Sequence, residues 1–290
     1  MSSQTIHPSE VYTVAVSVSQ PSAVELVRLG LSDLHVRYAF VELVRHLLAR
    51  GYSVAYGGDL RQAGYTEALF DLVRTYSRDD LDGPERVINY LAWPVWSEMI
   101  PAQRADLVNI ATIRRGPRPE GAPEQLSPIP QRLALELLWN SIALTMMRKQ
   151  MSRETSARVV LGGSVSGQQG LYPGVIEEAY LTLEAGLPLF VAGGFGGAGR
   201  VLAEALLGGQ PAELTIAYHV ANTPRYEELL QEAQTRGCTP QFERVIQKFN
   251  STTINGLNNG LNNANNQRLL ESDDVDEIIP LILGGMHNIF

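Results

Sequence analysis

The sequence predicts an α/β protein built on a parallel sheet with helices on both faces. Two short apolar runs, Val159 to Leu161 and Leu187 to Ala192, each lead into a glycine pair. A helix-like segment, Pro173 to Ala185, lies between them, giving the strand, helix, strand order of a parallel βαβ unit. The same alternation starts near the N terminus, where the valine-dense run Val11 to Val18 precedes a helical pattern from Leu34 to Ala49. Together these observations predict a Rossmann-like sheet. Its ligand edge is expected where the strands end, since the loops converge there and the following helices present unpaired N–H groups.

Composition bounds the rest. The chain has 290 residues, 44% hydrophobic and 19% charged, enough for one large domain over 11–290 after a loose tail, 1–10. A net charge of -8 disfavours nonspecific nucleic-acid binding, which depends on neutralising phosphates with Lys and Arg. The single cysteine, Cys238, excludes an intrachain disulfide and a cysteine-based metal cluster. Five histidines show no ligand spacing, and there is no Walker A sequence or GxSxG elbow, so neither a metal nor a cofactor is expected. No apolar run is long enough to span a bilayer, and MSSQTIHPSE lacks a basic region followed by an apolar core. A soluble, cytoplasmic protein is the expectation.

Taken in order, the first strand, Val11 to Val18, ends in a small polar loop. Ser17 and Ser19 there are either turn residues or hydroxyls facing a ligand. Leu34 to Ala49 repeats apolar residues at helical spacing and stops at Gly51. Tyr52 to Tyr56 is the second strand, followed by Gly57, Gly58, Asp59 and Arg61, then a helix from Glu67 to Tyr76 with Thr66 as candidate N-cap. Asp59 and Arg61 either pair with each other or grip a ribose hydroxyl and a phosphate. Val87 to Leu91 is a weak third strand. Residues 92–130 form a proline-rich irregular insertion in which only Ala102 to Ile113 reads as helical. Trp93 and Trp96 read as local core, with base stacking as the alternative.

Leu133 to Thr155 is a long helix with Arg148, Lys149 and Arg153 toward its C-terminal end. Those cations either favour the helix dipole or serve the neighbouring glycine edge. Past the central βαβ unit, Val201 to Leu207 completes a helix begun near Gly197, and Leu214 to His219 reads as a short strand or helix. Arg225 to Arg236 and Thr239 to Phe249 read as helices, and the asparagine-rich run Asn255 to Asn266 as a surface loop. A last helix, Ile278 to Leu283, is expected to end at Gly284 and Gly285.

The pieces VAVSVS, VAYGGDLRQAGYT, MMRKQM, VVLGGSVSGQQGLYPGVIEEA, PLFVAGGFGGAGR and the tail from INGLNN to RLLESDDVDEIIPLIL resemble the SLOG superfamily. These are the Smf/DprA and LONELY GUY-like Rossmannoid domains, and the resemblance runs from Val11 to Leu283. Its enzymes cleave the N-glycosidic bond of nucleoside monophosphates with a helix arginine and a glutamate after a PGGxGT loop. Its Thoeris-type members bind ADP-ribose-like signals in anti-phage defence, and its DprA-type members bind single-stranded DNA. The resemblance implies that Arg148 matches the helix arginine and that Glu178 or Glu177 matches the glutamate, with Glu178 favoured. The chain departs from the enzymes at Pro173-Gly174-Val175-Ile176-Glu177-Glu178, where no GxGT follows. It departs from relatives with acidic residues after Gly-Leu at Leu257-Asn258-Asn259.

The expectation is therefore a sensor for an ADP-ribose-type or cyclic nucleotide, with a LONELY GUY-type N-glycosidase as the first alternative and a single-strand binder as the second. A separate effector protein and a homo-oligomer are the expected partners. The ligand is expected on Ser17, Ser19, Gly57, Gly58, Asp59, Arg61, Thr66, Arg148, Lys149, Gly162, Gly163, Gly174, Glu177 and Glu178. The second glycine edge, Gly193, Gly194, Phe195, Gly196 and Gly197, is expected to join them. On this reading Gly194→Val abolishes binding while the fold survives.

Overall fold

A computed structural model describes residues 11–58, 64–76, 86–107, 110–128 and 131–290. The strands are β1 (Thr13–Ser19), β2 (Ser53–Gly57), β3 (Val87–Leu91), β4 (Thr112–Arg115), β5 (Ala157–Gly162) and β6 (Leu189–Ala192). They form one sheet in the order β4-β3-β2-β1-β5-β6, with every pairing parallel. The chain moves outward from β1 to β4, then crosses back to β5. That makes a doubly wound α/β fold whose topological switch point lies between β1 and β5. The Rossmann-like expectation is met.

Between the strands run α1 (Ala23–Arg28), α2 (Asp33–Ala49), α3 (Tyr65–Tyr76), α4 (Trp93–Glu98), α5 (Pro101–Leu107), α6 (Ala134–Glu154) and α7 (Gly174–Glu184). After β6 come α8 (Gly197–Leu206), α9 (Ile216–Asn222), α10 (Tyr226–Thr235), α11 (Phe242–Thr252), α12 (Asn263–Glu271) and α13 (Val275–Ile289).

Alternation along β1 explains the two faces. Val14, Val16 and Val18 join Val36, Phe40 and Leu43 of α2 in one core. Full burial of each such side chain contributes roughly 1.5–3 kcal/mol. On the other face Ala15, Ala55 and Tyr90 meet Met147 and Met151 of α6. Small residues on this face let α6 lie close to the sheet, and Ser17, of the same parity, also points toward α6 and α7.

Several elements differ from expectation. The insertion holds α4, α5 and the edge strand β4, and 108–109 and 129–130 lie outside the described residues. Leu214 to His219 resolves into a short 3-10 turn, Ala212–Leu214, and the start of α9. Trp93 is buried with Ala122, Leu126 and Ala143, and Trp96 lies beneath the guanidinium groups of Arg104 and Arg115, at 4.5 and 3.6 Å from the ring centre. α13 runs through Gly284 and Gly285. A Cβ on Gly285 would stand 2.5 Å from the Asn259 carbonyl oxygen, so that glycine permits close packing. The asparagine-rich run is no surface loop throughout: Asn259 and Asn266 are buried and joined at 2.8 Å, and Asn259 also donates to the Leu189 carbonyl at 2.9 Å. Side-chain amides there satisfy backbone at the start of β6, which burial would otherwise penalise.

Candidate functional site

The switch point brings together the ends of β1 and β5 with α6 and α7. Ser17 lies near the end of β1, and Gly57 ends β2 beside it. α7 begins at Gly174, directly after Pro173, whose missing N–H costs nothing at a helix start. Glu177 and Glu178 occupy its first turns, and adjacent helix residues diverge by about 100°. The two carboxylates therefore reach different partners.

Glu178 Oε2 accepts hydrogen bonds from the Ser17 hydroxyl at 2.5 Å and from Arg158 Nη1 at 3.0 Å. Arg158 rises from β5, has no exposed surface, and also donates to Ser17 Oγ and Thr182 Oγ1, both at 2.6 Å, and to Ser152 Oγ at 3.5 Å. Burial lowers the Arg158 pKa from its ordinary value, and the Glu178 carboxylate opposes that effect. Glu177 accepts from Thr145 at 2.5 Å and is bridged by Arg148 Nη1. Arg148 Nε lies 3.6 Å from Glu178 Oε1, beyond hydrogen-bond length, and is a buried donor with no hydrogen-bond partner among the described residues. Two arginines and two glutamates thus form a buried cluster with balanced charge.

Glycines set how closely backbone approaches this cluster. A Cβ on Gly174 would stand 2.7 Å from Arg148 Nη2, and one on Gly57 would stand 3.5 Å from Glu178 Oε1. A side chain at 174 would have to displace the guanidinium from its contact with Glu177.

Ser17, Gly57, Arg148, Gly174, Glu177 and Glu178 are accordingly brought together. Ser19 sits one step outward, where its hydroxyl accepts the Ser164 N–H at 2.8 Å and its carbonyl accepts the Gly163 N–H at 2.8 Å. Gly162 and Gly163 close the loop on Pro21, Val175 and Ala198. Gly58 packs on Tyr56 and Thr66. Thr66 lies inside α3, one residue past its start, so it is not the N-cap. Asp59 and Arg61 lie outside the described residues.

The second glycine edge packs against other parts of the chain. A Cβ on Gly193 would run into the Leu270 carbonyl, and one on Gly194 into the backbone of Ser272. The turn between α12 and α13 therefore covers this end of β6. Phe195 is fully buried in the core, Gly196 abuts Leu29 and Glu25, and Gly197 abuts the Gly163 carbonyl. These residues make room for the chain itself. Lys149 is exposed and lines a cavity between α6, α7 and α11 whose wall includes Thr145, Ser152 and Glu177 of the cluster.

Arg158, Ser152, Thr145 and Thr182 are members of the cluster that sequence reasoning missed. The available signal was an arginine opening a strand that is otherwise apolar, since a buried charge demands partners.

A second network holds the loop between β5 and α7. Gln168 bonds His219 Nδ1 at 3.0 Å and accepts from Thr223 at 3.0 Å, and Thr223 Oγ1 accepts the Gly167 N–H at 3.0 Å. His219 stacks on Phe242 at 4.9 Å, and burial pushes its pKa down to about 4. Among the described residues no helix is long and apolar enough to cross a membrane.

No curated protein matches the chain. A family model described as SLOG cluster2 matches residues 8–269. With a doubly wound parallel sheet and an Arg–Glu cluster beneath its switch point, the chain belongs to the SLOG superfamily.

Proposed function

We propose that the switch-point crevice binds a nucleotide of the ADP-ribose or cyclic type as a signal. The observation that carries this reading is the prior commitment of both carboxylates. Glu178 is held by Ser17 and Arg158, and Glu177 by Thr145 and Arg148. A glycosidase needs a carboxylate whose charge is available as positive charge develops on the sugar. Here each glutamate meets an arginine before any ligand arrives. Arg148, with a buried N–H that has no hydrogen-bond partner among the described residues, is the group that gains most from an incoming phosphate. The bound chain then acts on a separate effector or by assembling with copies of itself, in anti-phage defence.

A LONELY GUY-type hydrolase is the second reading. What favours it is Glu178 Oε1, which faces the glycine at the end of β2 and lies 3.6 Å from Arg148 Nε.

Calorimetric titration with ADP-ribose tests the site. Arg148→Ala weakens binding by roughly 1.5–3 kcal/mol if the arginine makes a charge-assisted hydrogen bond to phosphate. Arg148→Lys keeps the charge and recovers part of the loss, which separates ligand contact from damage to the Glu177 pair. Unchanged affinity in a folded Arg148→Ala variant removes Arg148 from the site.

A further inference from the structure

The outer surfaces of α6 and α7, together with α11, enclose a cavity of about 500 Å³. This is the size of ordinary small-molecule sites. Its charge does not follow that of the whole chain. Two acids line it, and each is already matched: Glu177 by Arg148, and Glu184 by Arg244 at 3.0 Å and Lys248 at 3.4 Å. Lys149 and Arg153 remain, and among the described residues neither has an acid within ion-pair distance. They sit four residues apart on α6, on one face and roughly 6 Å apart along its axis. A protein of net charge -8 thus presents two uncommitted cations side by side at the rim of a cavity.

The opposite wall is aromatic and apolar, formed by Tyr172, Tyr180, Ile176 and Leu181. Tyr172 is fixed in place: its hydroxyl accepts the Gln241 N–H at 2.7 Å, and its ring meets Phe242 edge-on at 5.0 Å. Paired cations facing a flat, rigid, partly apolar wall suit a ligand with an anion at one end and a planar ring at the other.

We propose that this cavity, which shares Thr145, Ser152 and Glu177 with the wall of the buried cluster, is a second binding site for a small aromatic phosphate. The phosphate is held by Lys149 and Arg153, and the ring lies against Tyr180 and Tyr172.

Phenyl phosphate is the probe, with inorganic phosphate as its control, followed by calorimetry and ligand-observed NMR on the full chain. Wild type binds phenyl phosphate more tightly than inorganic phosphate. Lys149→Gln with Arg153→Gln weakens phenyl phosphate at least tenfold, and because both side chains are exposed and Gln is a good helix former the variant keeps its fold. Tyr180→Leu removes the preference for the aryl compound over inorganic phosphate. Ser17→Ala, in the crevice cluster, leaves the titration unchanged, so failure of the crevice reading and failure of this one are distinguishable. Wild-type affinity in the double charge variant, or an equal loss in Ser17→Ala, overturns the proposal. Tighter binding of a phosphotyrosyl peptide than of phenyl phosphate overturns the assignment to a small molecule.

Discussion

Replacing Arg158 with methionine removes the cation at the centre of the buried cluster while keeping an unbranched side chain of similar length. In the native protein Arg158 has no exposed surface and donates to Thr182, Ser17, Glu178 and Ser152. Without it the Glu178 carboxylate keeps the Ser17 hydroxyl at 2.5 Å and Arg148 Nε at 3.6 Å, too little to compensate a buried charge. Breaking one side of a buried pair costs on the order of 3–5 kcal/mol. With a slope of about 3 kcal/mol per molar urea, the unfolding midpoint falls by roughly 1–1.7 M. Removing both charges has a different outcome, because no carboxylate is left stranded. The double variant Arg158→Met with Glu178→Met recovers a substantial part of the loss, giving a favourable coupling energy in the mutant cycle. Urea unfolding of the four proteins, followed by fluorescence and circular dichroism, measures it. A single variant within about 1 kcal/mol of wild type, or a double variant that loses the sum of the singles, refutes the reasoning.

Gly194→Val destabilises the whole protein, because its Cβ would enter the backbone of Ser272; a folded variant with native melting temperature contradicts that packing. Asn259→Ala costs roughly 1–3 kcal/mol by stranding the Leu189 carbonyl and Asn266 Oδ1, read as a shifted urea midpoint; an unshifted midpoint returns the segment to the surface. His219 has a folded pKa pushed down to about 4, below its ordinary value, so the unfolded chain binds the extra proton first. Stability from this group is complete above about pH 6.5 and falls as pH drops toward about 4. His219→Phe keeps a ring against Phe242 and makes the loss between pH 7 and pH 5 smaller; an identical pH profile in both proteins contradicts the buried neutral histidine.

Much of the fold was legible because most strands of the sheet, including the edge strand β6, are buried on both faces. β1, β5 and β6 read as valine- and leucine-rich runs cut off by polar or glycine residues. β4 was illegible for the opposite reason. Thr112–Arg115 is a four-residue edge strand, half exposed, with two arginines, and nothing in TIRR alternates like a core strand. The glycines misled in both directions. Gly174 and Gly57 do stand over Arg148 and Glu178, yet Gly194 resembles them in sequence and instead accommodates the chain between α12 and α13. Local sequence records that backbone must come close to something, but tertiary packing decides whether that something is a ligand or the chain. That Arg148, Glu177 and Glu178 come together was legible from the resemblance of MMRKQM and PGVIEEA to a known pattern. Arg158 was not, because the need to balance Glu178 arises only when β5 and α7 pack together.

The most direct test of the sensor reading is free-base release, quantified by chromatography while nucleotide binding is measured on the same sample. Wild type, Glu177→Gln and Glu178→Gln are each incubated with AMP and with ADP-ribose. The account predicts that wild type binds ADP-ribose without releasing base, and that either substitution, by removing the charge partner of a buried arginine, lowers stability along with affinity and reveals no turnover. Rapid base release by wild type, abolished by Glu178→Gln while the nucleotide still binds, would contradict the account and establish hydrolysis as the activity of the crevice.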